Sequence, residues 1–105
     1  MDISKQDWKL FRTRLAQWQE HHMEQLVKEY QEILAEDDLA SERFWKLDER
    51  IREDRRYPGV IFEVKRSNMI PCILTFLKDG IITDGDLEGF SQELLEAILF
   101  MRKRW

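Results

Sequence analysis

Three observations predict an all-α fold, a compact four-helix arrangement with a long amphipathic N-terminal helix and a buried, short third helix. Glycine and proline number only 4 and 2 in 105 residues, whereas Leu, Glu, Lys, Arg and Gln, which lose little rotamer freedom in a helix, are plentiful. Apolar side chains recur at every third or fourth place along most of the chain. Only Val60 to Val64 alternates like a strand. A lone strand has nothing to pair with, so that stretch reads as a connector or a helical turn.

The first helix begins at Ser4 and Asp7, a capping-box pair whose hydroxyl and carboxylate can each take a backbone N–H at a helix start. Trp8, Phe11, Leu15, Trp18, His22, Leu26, Tyr30 and Ile33 then form one stripe, widened by Leu10, Met23, Val27 and Leu34. Unbroken to Ala35, this helix is about 45 Å long at 1.5 Å per residue. A compact chain of this size is roughly 33 Å across. The helix must therefore bend, or its extra turns must pack on a second copy or another protein.

Glu36, Asp37 and Asp38 interrupt the stripe and offer a carboxylate cap to a second helix with apolar positions Leu39, Phe44, Leu47 and Ile51. Charged residues surround that narrow stripe, so most of the second helix should be wet. Pro58-Gly59 stops it firmly, because proline disfavours helix in the residue before it. Ser67 or Asn68 caps a third helix, with Pro71 tolerable in its first turn and Ile70, Cys72, Ile73, Leu74, Phe76 and Leu77 making it apolar all round. Such a helix belongs in the middle, wrapped by the first, second and fourth. Asp79-Gly80 ends it and lets Ile81 and Ile82 plug back onto the core. Thr83 and Asp86 form a second capping box, from which the fourth helix follows at once, with Leu87, Phe90, Leu94, Ile98 and Met101 on one face.

The bulk properties narrow the class. With 43% hydrophobic and 36% charged residues the chain is apolar enough to fold as one domain, 1–105. The net charge of −4 spreads over both signs, so nucleic acid is not the expected partner and a protein with a basic face suits it better. Cys72 alone excludes an internal disulfide and fits a cytoplasmic location. No signal peptide is visible, and the longest apolar run, 69–77, is far below the roughly 20 residues of a membrane span. No membrane role and no transport are expected.

Catalytic and metal chemistry find little footing, and neither cofactor nor metal is expected. DGIITDGDLE, from Asp79 to Glu88, echoes two halves of a calcium loop that fail to coincide: Thr75 and Leu77 fall on ligand places in one register and Leu95 in the other. His21 and His22 point about 100° apart on a helix and cannot share an ion. No glycine-rich phosphate loop and no nucleophile beside a base stands out, so no enzyme is expected.

What remains points to binding. The chain has 4 tryptophans; Trp45 sits off the centre of its stripe and Trp105 is terminal, which makes both candidates for partner or dimer contacts. Glu20, Glu24, Glu29, Glu32, Glu36, Asp37 and Asp38 form an acidic row that could imitate a phosphate backbone. Arg52, Arg55, Arg56, Lys65 and Arg66 form a basic cluster around Tyr57, interleaved with Glu53, Asp54 and Glu63.

From Pro58-Gly59-Val60 through Arg66-Ser67-Asn68-Met69-Ile70 to Asp79-Gly80-Ile81-Ile82-Thr83 and Asp86-Leu87-Glu88-Gly89-Phe90-Ser91-Gln92-Glu93-Leu94, with Ser41-Glu42-Arg43-Phe44-Trp45 upstream, the chain resembles a family of small uncharacterised proteins from Gram-positive anaerobic bacteria. Many carry a "multidrug transporter" label that a chain with no spanning segment contradicts. The resemblance implies one intact domain and no particular activity; Pro71 departs from it.

The expected function is a non-enzymatic protein-interaction module, self-associating as a homodimer through the first helix. One alternative is an acidic inhibitor, from a mobile element or phage, of a nucleic-acid-handling enzyme such as a CRISPR effector. A second is a nucleic-acid-binding regulator that uses the Arg52 to Arg66 cluster.

Overall fold

A computed structural model describes residues 2–104 as four α-helices, with no strand among them. Helix α1 spans Lys5–Leu34, α2 Ala40–Asp54, α3 Met69–Lys78 and α4 Gln92–Arg102. The all-α class, the long first helix and the buried third helix of the sequence reading are all present. Residues 61–65 are a connector without regular structure.

The chain divides into two compact units, one made of the residues up to 18 and from 63 onward, the other of Gln19–Phe62. In the first, Phe11, Met69, Ile73, Phe76 and Leu94 are completely buried, joined by Leu15, Trp18, Ile82, Leu87, Phe90 and Ile98. Trp18 meets both Phe11 and Phe76 edge-on at 6.2 Å, the arrangement that aromatic quadrupoles favour. Each such side chain contributes about 1.5–3 kcal/mol on burial. The apolar character of α3 thus has a direct cause: Met69, Cys72, Ile73 and Phe76 all lie inside.

The caps of this unit are partly those the sequence suggests. Ser4 Oγ accepts the Asp7 N–H at 3.1 Å. Asp7, only 3% exposed, does not return the favour; its carboxylate accepts the Ser91 N–H at 2.9 Å and the Ser91 hydroxyl. Ser91 Oγ in turn accepts the Leu94 N–H at 3.2 Å and caps α4. One buried carboxylate therefore ties together the first turns of two helices, where their dipoles favour negative charge.

Three sequence expectations are corrected here. The Thr83–Asp86 box does form, with the Thr83 N–H on Asp86 Oδ2 at 2.7 Å, but it opens a 3-10 turn, Asp84–Leu87. Gly89 at φ 96° then breaks the chain, and α4 starts only at Gln92. A Cβ at Gly89 would lie 3.0 Å from Arg14 Nη2 and 3.3 Å from Leu10 Cδ2, so close approach also favours glycine there. Helix α3 has no side-chain cap from Ser67 or Asn68; a 3-10 turn, Arg66–Asn68, leads into it, and the Asn68 amide donates to Glu63 O at 3.1 Å. Helix α2 has no carboxylate cap either, since its N-cap is Leu39. The end of α3 is as expected: Gly80 at φ 74° closes a Schellman turn, Ile81 N–H to Phe76 O at 2.9 Å and Gly80 N–H to Leu77 O at 3.3 Å.

The second unit is a helical hairpin: the latter half of α1, a turn at 35–39, and α2 running back antiparallel. Leu26 and Ile33 are its only fully buried large apolar side chains. No residue of α2 is fully buried.

Candidate interaction surface

Polar clasps run along the hairpin beside its thin core. At the turn, Lys46 Nζ meets Glu36 Oε2 at 2.7 Å, and Arg43 Nη1 caps the end of α1 by donating to Leu34 O at 2.8 Å. Lys46 holds the Glu36 carboxyl below its ordinary range by hydrogen bonding. In the middle, Arg50 Nη2 lies 3.1 Å from Glu29 Oε2 and Arg50 Nε 3.0 Å from Asp54 Oδ2. Tyr30 donates its hydroxyl to that same Asp54 oxygen at 2.6 Å. Burial and this hydrogen bond push the Tyr30 phenol up to about 12. At the open end, Gln19 Nε2 donates to Pro58 O at 2.9 Å, and the His22 and Tyr57 rings lie 5.1 Å apart. Gly59 is needed beside them, because a Cβ there would sit 2.3 Å from His22 Cδ2.

Exposed ion pairs contribute only about 0–1 kcal/mol each. Such a hairpin would be expected to hide whatever apolar surface it has, yet it does the reverse. Phe44 is 61% and Trp45 62% exposed, their rings meeting edge-on at 4.9 Å. Met23, Val27, Leu34, Leu39, Ile51 and Ile61 are exposed as well.

Helix geometry gathers several of these side chains. At about 100° per residue, Met23, Val27 and Leu34 fall within about 40° of one another, turned roughly 90° from the buried line of Leu26 and Ile33. On α2, Phe44 and Ile51 are offset by about 80°, in the same rotational sense, from the inward residues Arg43, Leu47, Arg50 and Asp54. Equal offsets on antiparallel helices lie on the same side. The result is an apolar strip along one side of the hairpin, Phe44 and Ile51 opposite Leu34, Val27 and Met23, with Trp45 at its edge.

No family model, curated protein or solved structure matches the chain.

The residues singled out from the sequence fare unevenly. Trp45 is exposed as expected; Trp105 lies outside the described residues. In the acidic row Glu29 and Glu36 are held by Arg50 and Lys46, whereas the exposed Glu20, Glu24, Glu32, Asp37 and Asp38 make no ion pair among the described residues. Of the basic cluster, Arg52, Arg55 and Arg56 belong to the hairpin and Lys65 and Arg66 to the other unit. Arg52 pairs with Asp48 at 3.0 Å and Lys65 with Glu63 at 2.8 Å. Arg66 instead borders an open depression with Asp2, Ser67, Ile70, Pro71 and Met101.

Cys72 is buried, and desolvation raises its thiol to about 12, far from the thiolate that a nucleophile needs. The Asp7 and Ser91 pair resembles half of a hydrolytic site, but both carboxylate oxygens and the serine oxygen are occupied in helix capping. Among the described residues no group of His, Cys, Asp and Glu is placed to hold a metal ion, and no helix is long and apolar enough to cross a membrane.

Sequence reasoning missed the strip itself. Met23, Val27 and Leu34 read as a widening of the buried stripe, and their spacing of four and seven does not separate them from the Leu26 and Ile33 line, which is also spaced by seven.

Proposed function

We propose that the chain is a protein-interaction module of the cytoplasm whose contact surface is the apolar strip of the α1–α2 hairpin. The single observation that carries this reading is the exposure of Phe44 and Trp45 on a helix that buries none of its residues. Contiguous apolar surface of this kind is costly to leave in water and marks contact sites. Aromatic side chains dominate the energy of such contacts.

Two other readings have less support. Phosphate mimicry by the acidic row needs carboxylates free to meet a basic surface, and Glu29 and Glu36 are already neutralised. Nucleic-acid binding needs a coherent basic patch, and Arg52 and Lys65 are paired within the chain.

The test is site-specific photocrosslinking in cells, with p-benzoylphenylalanine in place of Phe44 and, as a control, of the exposed Lys78. The reading expects protein adducts from position 44 and not from 78. Absence of any adduct from position 44 rules the strip out as a contact surface.

A further inference from the structure

We infer that the strip receives a basic amphipathic helix of another protein, which packs along the hairpin as its third helix. This rests on the reading of the strip as a contact surface and adds the chemistry of what covers it. Charge complementarity carries it. Gln19–Phe62 holds twelve carboxylates against seven lysines and arginines. Four of those seven cations are committed inside the hairpin: Arg43 to the end of α1, Lys46 to Glu36, Arg50 to Glu29 and Asp54, and Arg52 to Asp48.

The uncommitted charge is thus mainly negative, and part of it borders the strip. Glu20 and Glu24 lie one turn from Met23 and Val27 on α1, exposed and with no ion pair among the described residues, and Asp37 adds a carboxylate at the turn. Three cations remain to oppose them: Arg55 and Arg56 lie past the end of α2, and Lys28 sits on α1 about 120° round the helix from the middle of the strip. A second copy of this chain, the partner that the first helix suggests by itself, would bring the same acidic surplus against its own, and like charges across an interface disfavour that pairing. A helix fits better than an extended peptide because the strip runs between two antiparallel helices, whose ridges accept side chains spaced three and four apart. The edges of the strip would then meet lysines or arginines flanking the apolar stripe of the incoming helix.

The probe is an 18-residue amphipathic Leu/Lys peptide, titrated against the full chain while tryptophan emission is followed. Two controls accompany it: a Leu/Glu peptide of the same pattern and a Lys/Ser peptide of equal charge without the apolar stripe. The inference expects the Leu/Lys peptide to bind at least tenfold more tightly than either control, with a blue shift that is lost in Trp45→Phe. Glu20→Lys with Glu24→Lys should weaken it at least threefold and Phe44→Ser at least tenfold; both changes are at exposed positions, and unchanged helical circular dichroism confirms the fold. Equal binding of the Leu/Glu or Lys/Ser peptide, or no effect of either variant, overturns the inference. Adducts from position 44 without Leu/Lys binding would leave the strip a contact surface but refute the basic helix, as would an adduct of twice the chain mass.

Discussion

Replacing Asp7 with alanine should cost more than any surface change in this protein, because one buried carboxylate serves two helix starts. The side chain is 3% exposed, and its loss strips the Ser91 N–H, now bonded at 2.9 Å, and the Ser91 hydroxyl of their acceptor. A buried donor left without a partner costs about 1–3 kcal/mol, and hydrogen bonds to a charged acceptor sit at the upper end. Loss of the favourable dipole interaction at the helix start adds about 0.3–1 kcal/mol. The sum for Asp7→Ala is about 3 kcal/mol, a large share of the roughly 5–15 kcal/mol that holds a domain folded. With an unfolding entropy of about 2.1 cal/mol/K per residue, the expected fall in Tm is about 14 °C. Asp7→Asn keeps one carbonyl acceptor and should lose about half as much. The assay is urea denaturation followed by far-UV circular dichroism, with thermal melts alongside. A loss below about 0.5 kcal/mol for Asp7→Ala would refute the coupling of the two helix starts.

Further outcomes follow from the hairpin and the core. Gly59→Ala places a methyl group 2.3 Å from His22 Cδ2 and 3.0 Å from Tyr57 Cδ2; overpacking of this kind costs about 1–3 kcal/mol, which denaturant melts will register. Tyr30→Phe removes the 2.6 Å bond to Asp54 and should cost about 1 kcal/mol at neutral pH. Because the folded phenol is raised from 10.0 to about 12, its stabilising share is complete below pH 10 and disappears as pH rises towards 12. The difference between wild type and Tyr30→Phe should therefore shrink across that window, and a constant difference would contradict the account. Cys72, with its thiol raised to about 12 by burial, should react with an aromatic disulfide reagent only once urea unfolds the chain. Fast reaction of the native protein would place the thiol at the surface.

The helices were legible where a local rule has a local cause. The stripe from Phe11 to Ile33, the turn at Pro58-Gly59 and the Gly80 stop depend on residues within a few places of one another, and all three are found. The caps were less legible. Ser4 and Asp7 look like a reciprocal pair, but the carboxylate goes to a serine 84 residues away, and sequence spacing carries no information about that. Thr83 and Asp86 do form their box, and the helix still waits for Ser91, because a capping box fixes one turn and Gly89 can still break the chain after it. The interaction surface was half legible. Trp45 stood out by its offset from Phe44, whereas Met23, Val27 and Leu34 follow the same three-and-four spacing as the residues beside them that are buried. Periodicity shows that a helix has an apolar face; which part of a broad face is covered depends on what packs against it, and that is tertiary information.

The most direct check on the central claim is the accessibility of the strip in a living cell. Ser41→Cys introduces a thiol on the exposed face of α2 beside Phe44 and Trp45, in a chain whose own cysteine is buried. Its rate of alkylation by a membrane-permeant maleimide is to be compared between intact cells and dilute purified protein, with Lys78→Cys as the reference for reagent supply. The account predicts that the thiol at position 41 reacts several-fold more slowly in cells than in dilute solution, while the one at position 78 reacts equally fast in both. Equal ratios at the two positions would mean that nothing covers the strip, and the proposed function would fall with it.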